Sequence, residues 1–141
     1  MSRSCEMKYK FADTNLFLRF LTADDREKFE RCKELLARVA EGKEHLIVSH
    51  LVVAELVWTL LSFYKLPKAE VVEKLLTLLS LPSIHVPDKG AVIESLVLFG
   101  SKNVDYVDAY NAVFMRRRGI KEIYSYDRHF DRIEFVERLE P

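Results

Sequence analysis

Four acids stand where a folded chain has little use for a lone charge. Asp13 closes the short apolar run Tyr9-Lys10-Phe11-Ala12 and opens Asp13-Thr14-Asn15-Leu16-Phe17, which reads as the start of a helix. A carboxylate at the carboxyl end of a strand, with a helix behind it, sits where open α/β sheets place their chemistry. Asp is also a good helix N-cap, so Asp13 reads either as a cap or as a site residue. Glu55 lies in Leu51-Val52-Val53-Ala54-Glu55-Leu56-Val57-Trp58, where its helical neighbours are Leu51, Val52, Trp58 and Thr59. That helix reads as covered on all sides, and an uncompensated buried carboxylate costs about several kcal/mol. Glu55 is therefore expected to be paired or bound to a cation, the alternative being a rim position that reaches water. Asp105 and Asp108 fall three apart at a helix start, in Val104-Asp105-Tyr106-Val107-Asp108-Ala109. A variant capping box explains Asp105 well and Asp108 less well. Asp127 follows the strand-like Ile123-Tyr124-Ser125-Tyr126 and repeats the opening order of strand, acid and helical turn; ordinary turn chemistry also explains it.

Asp13, Glu55, Asp108 and Asp127 together form a set of oxygen ligands drawn from widely separated segments. Clustered carboxylates repel and raise each other's pKa. A hard divalent cation removes that penalty, and Mg²⁺ or Mn²⁺ suits such ligands. Carboxylates that hold such ions commonly serve phosphoryl chemistry, in which the ion activates water and stabilises the attacking and leaving oxygens. No histidine or cysteine spacing fits zinc. His45, His50, His85 and His129 are scattered and read as packing or surface residues, with His129 alone close in sequence to one of the acids.

The elements that must position these acids alternate in type. Strands are expected at 8–12, 45–48, 84–86, 122–125 and 135–136. Helices are expected at 16–21, 24–41, 50–64, 68–80, from Asp88 to about 100, and 104–118. Phe29, Cys32, Leu35, Leu36 and Val39 recur at the spacing of an amphipathic helix. Thr22 or Asp24 is the expected cap of that helix and Gly42 its stop; Ser49 and Asp88 are expected caps further on. Residues 127–131 read as a turn or short helix. The pattern predicts an α/β fold with a mainly parallel sheet covered on both faces. The length suits one domain, taken as 7–141, with Met7 a possible true start and 1–6 an extension outside the core.

Lys and Arg number 22, as do Asp and Glu, so the net charge is zero; nonspecific coating of nucleic acid calls for a basic chain, and local binding is the most this balance supports. Cys5 and Cys32 match no metal or redox spacing, and the polar N-terminus lacks the apolar core of a signal sequence. A reducing, cytoplasmic setting is expected. The longest apolar stretch, 51–61, is broken by Glu55 and Thr59, so no membrane association is expected.

With these residues in place the chain resembles the PIN-domain nucleases. The resemblance rests on Ala12-Asp13-Thr14-Asn15, Val53-Ala54-Glu55-Leu56, Val107-Asp108-Ala109 and Ser125-Tyr126-Asp127-Arg128-His129-Phe130, in the family's order across nearly the whole chain. It implies a three-layer α/β/α sandwich with a central, mainly parallel sheet. It also implies a Mg²⁺- or Mn²⁺-dependent endoribonuclease that hydrolyses RNA with metal-activated water. Small prokaryotic members are typically the toxin of a toxin–antitoxin pair, the VapC type. By the same resemblance Asp13, Glu55 and Asp108 hold the essential metal and Asp127 is the more variable fourth acid. Asn15 orients Asp13 or a bound water, Ser125 supplies a supporting hydroxyl, and Asp105 is an auxiliary acid. Arg116, Arg117, Arg118, Lys121 and Arg128, with Lys10 a weaker candidate, would meet the RNA backbone, although each also reads as a solvated surface charge. A homodimer and an antitoxin helix lying in an apolar groove over 16–41 and 50–64 are further implications.

Two other readings stay open. A haloacid-dehalogenase-type phosphatase also starts from a strand-end Asp and uses acids spaced like Asp127 and Asp131, but it needs an acid where this chain has Asn15 and leaves Glu55 without a role. A catalytically inactive RNA-binding or scaffolding module would keep the fold without cleavage.

Overall fold

The computed structural model describes residues 8–141; the expectations for 1–6, Cys5 and Met7 lie outside the described residues. The chain divides into two units between Pro87 and Asp88.

In the first unit β1 (Tyr9–Phe11), β2 (His45–Ile47) and β3 (Ile84–His85) pair in that order, all parallel, with Lys10 beside Leu46 and Leu46 beside Ile84. Parallel neighbours need a crossover. The first crossover holds α1 (Thr14–Thr22) and α2 (Arg26–Ala40), the second α3 (His50–Ser62) and α4 (Lys68–Leu79). α1 packs on α2 and α3, and α3 on α4. β1 is exposed along all three residues, so the cover expected on both faces of the sheet does not extend to it.

Local signals account for most of the boundaries. Ser49 Oγ accepts from the Val52 amide at 3.3 Å and starts α3. Gly42 lies at φ +78 after α2, a conformation that costs a side chain-bearing residue about 1 kcal/mol or more. The cap of α2 is Asp25, which accepts from the Lys28 amide at 3.1 Å, in place of the expected Thr22 or Asp24. Asp24 is engaged elsewhere, accepting from Tyr64 Oη at 2.7 Å and from Arg19 Nη1 at 3.0 Å. The Tyr64 hydroxyl and the Arg19 guanidinium hold its carboxyl below the usual range.

α3 departs from the expectation of full cover. Val52, Val53, Leu56, Val57 and Leu60 are buried, but Leu51, Trp58 and Phe63 are 80%, 65% and 71% exposed. A helix apolar all round reads as buried on every side from sequence, and only tertiary packing shows which stripe is used. Leu60 is completely buried. Leu60→Ala is expected to destabilise the protein by about 2–5 kcal/mol through lost transfer energy and a residual cavity, read from urea unfolding followed by circular dichroism.

In the second unit α5 (Lys89–Ser101) packs on α6 (Tyr106–Arg117). Small residues permit the close approach: Ala91, Ser95, Ala109 and Ala112 are all buried. The Ser95 hydroxyl donates to the Ala91 carbonyl at 2.6 Å, so its burial leaves no polar group unmet. β4 (Glu122–Tyr124) pairs in parallel with β5 (Glu137–Leu139), the link between them holding a 3-10 turn, Arg128–Arg132.

Three expectations are corrected in this unit. Asp88 stands at the N-cap position of α5 but makes no side-chain cap bond; its φ is +52 and its carboxylate faces Arg117 Nη1 at 3.4 Å. Asp105 stands at the N-cap position of α6, again without a side-chain cap bond, so the capping-box reading of Asp105 and Asp108 fails. The last strand is 137–139 and not 135–136. The Val136 amide closes a turn on the Ile133 carbonyl at 3.1 Å, and the Phe135 ring receives the Arg116 guanidinium at 4.1 Å, so this apolar pair serves a turn. No helix among the described residues is long and apolar enough to cross a membrane.

Candidate metal centre

Two groups of the expected residues can be built upward, one in each unit. In the first unit Asp13 is the N-cap of α1, its Oδ1 accepting from the Leu16 amide at 3.4 Å. The capping role and a site role are compatible, because one carboxylate oxygen suffices for the cap. Thr14, the first residue of α1, is buried, and its hydroxyl donates to Glu55 Oε1. That bond ties the start of α1, next to Asp13, to the second turn of α3. Glu55 itself is exposed, which corrects the expectation of a buried carboxylate: it lies on the open stripe with Leu51 and Trp58. Burial therefore does not force a partner on it, and its Thr14 contact is a local choice of the fold. Asp13 and Asn15 line an open depression of about 370 Å³ with Arg19, Lys28, Arg31 and Cys32. Cys32 is a free thiol whose pKa burial pushes up.

In the second unit Asp108, in the first turn of α6, meets Asp127, at the head of the 3-10 turn. Ligand atoms of Asp108, Asp127 and His129 lie within 4.8 Å of one another. Two carboxylates so close cannot ionise independently. Burial, followed by the charges of Asp127 and Asp105, pushes the Asp108 carboxyl up, with His129 opposing. Asp127 moves the other way, held down first by the hydrogen bond from the His129 amide. The pair is thus polarised into one carboxylate that keeps its charge and one that gives it up more readily. Asp105 takes part through its charge on Asp108.

Asp127 is held from several sides. Its amide donates to Ser125 Oγ at 3.0 Å. Its Oδ1 receives the His129 amide at 2.9 Å and His129 Nδ1 at 2.8 Å. Behind Ser125 stands Arg138, which donates to the Ser125 carbonyl at 3.0 Å and pairs with Asp131 and Glu140. Nothing in the sequence pointed to Arg138, and Thr14 stood only within the Ala12-Asp13-Thr14-Asn15 motif, with no role of its own. His129 was read as a packing or surface residue, and only its place two positions after Asp127 hinted at more.

The basic candidates divide. Arg116 and Arg117 both pair with Glu94, and Arg117 also meets Asp88. Arg118 lies over the Phe114 ring at 3.6 Å and donates to the Phe114 carbonyl. Lys10 pairs with Glu44 at 3.0 Å. Lys121 and Arg128 are exposed.

The order of strand, acid, helix and the acid pair of the second unit belong to a known class of fold. The sequence model of the PIN domain matches residues 10–136, and the chain belongs to the PIN domain family. It is 29% identical over 126 residues to a VapC ribonuclease of Aquifex aeolicus (strain VF5), an alignment that spans 89% of this chain and 93% of that relative. Membership in this family leaves the phosphatase alternative without support.

Proposed function

We propose that this chain is a metal-dependent endoribonuclease and the toxin of a toxin–antitoxin pair, acting in the cytoplasm. Its family and its likeness to a VapC ribonuclease support the activity. The two units are read as parts of one nuclease domain over 7–141, because the family match runs through both.

The observation that carries the chemistry is the pairing of Asp108 with Asp127, with His129 beside them. Their carboxylate oxygens fit a hard divalent cation, and such an ion would offset the upward push on Asp108, which comes first from burial and then from the neighbouring acids. Mg²⁺ or Mn²⁺ is the proposed ion, with Asp13, Glu55, Asp108 and Asp127 as its holders and the catalytic acids. When bound, such an ion lowers the pKa of water and neutralises charge on the phosphate oxygens. The acids position and do not attack. A positive charge beside Asp108 and Asp127 would offset the cost of holding both as carboxylates. Ser125 fixes the backbone at Asp127. Thr14 sets the rotamer of Glu55, and Asn15 is read as the polar neighbour of Asp13. Asp105 adds negative potential.

RNA is the proposed substrate. Lys121 and Arg128 are the cations favoured to meet its backbone, since Arg116 and Arg117 already neutralise Glu94 and Asp88; Arg118 ranks between them. The exposed Leu51 and Trp58 of α3 support a protein partner on that face, read as an antitoxin helix or a second copy in a homodimer.

Incubation with a structured RNA pool tests the reading. Cleavage is expected with Mg²⁺ or Mn²⁺ and none with EDTA or with Asp13→Asn. Cleavage that survives both chelator and substitution overturns the reading, and RNA binding without cleavage turns the assignment to a scaffolding module.

A further inference from the structure

We propose that His129 is a positioning residue for Asp127, fixing the orientation of its carboxylate within the group it forms with Asp108; this rests on the metal-centre reading above. Two donors from the same residue converge on a single oxygen. The His129 amide reaches Asp127 Oδ1 at 2.9 Å and the ring Nδ1 reaches the same atom at 2.8 Å. An Asp that only caps a turn needs the amide alone. The ring contact adds what the amide cannot. With two donors at different angles, the carboxylate loses its freedom to turn about the Cβ–Cγ bond.

The ring is not held there by packing. His129 keeps 50% of its side-chain surface and Asp127 43%, so the contact exists because the two groups attract and the 3-10 turn sets the separation. Phe130, the next residue, is buried and anchors the turn that carries the ring. Groups that orient a metal-holding side chain typically contribute about 10–100-fold to metal affinity.

The test uses the whole chain and Mn²⁺ alone, with binding followed by calorimetry in the absence of RNA. His129→Asn places a side-chain amide N–H near the Nδ1 position, whereas His129→Gln reaches toward the Nε2 position. His129→Ala and His129→Gln are expected to weaken Mn²⁺ binding by about 10–100-fold, with His129→Asn restored to within about threefold of the natural protein. The melting temperature without metal is expected to stay within about 2 °C for all three, as befits an exposed side chain. Natural Mn²⁺ affinity in His129→Ala, while Asp108→Asn loses it, overturns this inference and leaves the metal centre standing. Rescue by Gln and not by Asn overturns it in favour of direct ligation through Nε2. A natural protein that binds no Mn²⁺ removes the proposed centre and this inference with it.

Discussion

Asp108→Asn is expected to reduce RNA cleavage by on the order of 10²–10³-fold, the scale at which loss of one preorganised charge-stabilising group is felt. The same substitution is expected to raise the melting temperature of the protein in metal-free buffer. The sign follows from the upward shift of the Asp108 carboxyl. A carboxyl whose pKa is higher folded than unfolded binds more protons in the native state. Stability then falls as pH rises from the ordinary value of 3.8 through the raised folded value, and at neutral pH the full cost of the charge is present. A favourable helix-dipole contribution at the first turn of α6 opposes this, at about 0.3–1 kcal/mol. The net upward shift means that burial and the neighbouring acids outweigh it. Asparagine keeps the shape and removes the charge. Divalent cation should reverse the ranking, since an ion at 100 times its Kd stabilises the native protein by about 2.7 kcal/mol and has little to hold in the variant. Thermal melts with and without Mn²⁺, beside a cleavage assay, check both halves; a lower metal-free melting temperature in Asp108→Asn contradicts the repulsion argument.

Glu55→Gln is expected to lower kcat/KM by on the order of 10²-fold while leaving the melting temperature almost unchanged. The two results separate cleanly because Glu55 is exposed. Glutamine retains an oxygen to accept from the Thr14 hydroxyl, so the contact between α1 and α3 survives and only the charge is lost. Thr14→Val is the complementary change. It keeps the Glu55 charge and removes its anchor, and a smaller loss of about tenfold is expected, the size usual for an orienting partner. A Glu55→Gln variant as active as the natural protein would remove Glu55 from the catalytic set. The same variants with wild-type folding and unequal activity would show that the anchor and the charge act separately.

Much of this molecule was legible one residue at a time. Ser49 before an apolar run announced the start of α3, and Gly42 announced the end of α2, because caps and left-handed turns depend on chemistry within a few residues. The alternation of short apolar runs with helical periods implied parallel pairing, since chain connectivity permits little else. The acids stood out for a related reason: Asp13 and Asp127 follow strands and Asp108 opens a helix, and those placements are visible in local sequence.

Other features depended on groups far apart in the chain, and tertiary structure alone decided them. Asp24 resembles a cap as much as Asp25 does, until Tyr64, forty residues on, accepts the role of partner. Phe135-Val136 has the composition of a strand, yet the Arg116 guanidinium and the Ile133 carbonyl draw it into a turn. The exposed stripe of α3 could not be read from a helix that is apolar on every face, so Glu55 seemed buried when it is open to water. The ring of His129 acquired its meaning only where the 3-10 turn set it against Asp127. The sequence by itself therefore determined most of the elements and their order, because these rest on local propensity and periodicity. Which charges are neutralised, which are held in place and which carboxyl gives up its proton were decided by the folded structure, because those energies depend on distance and burial.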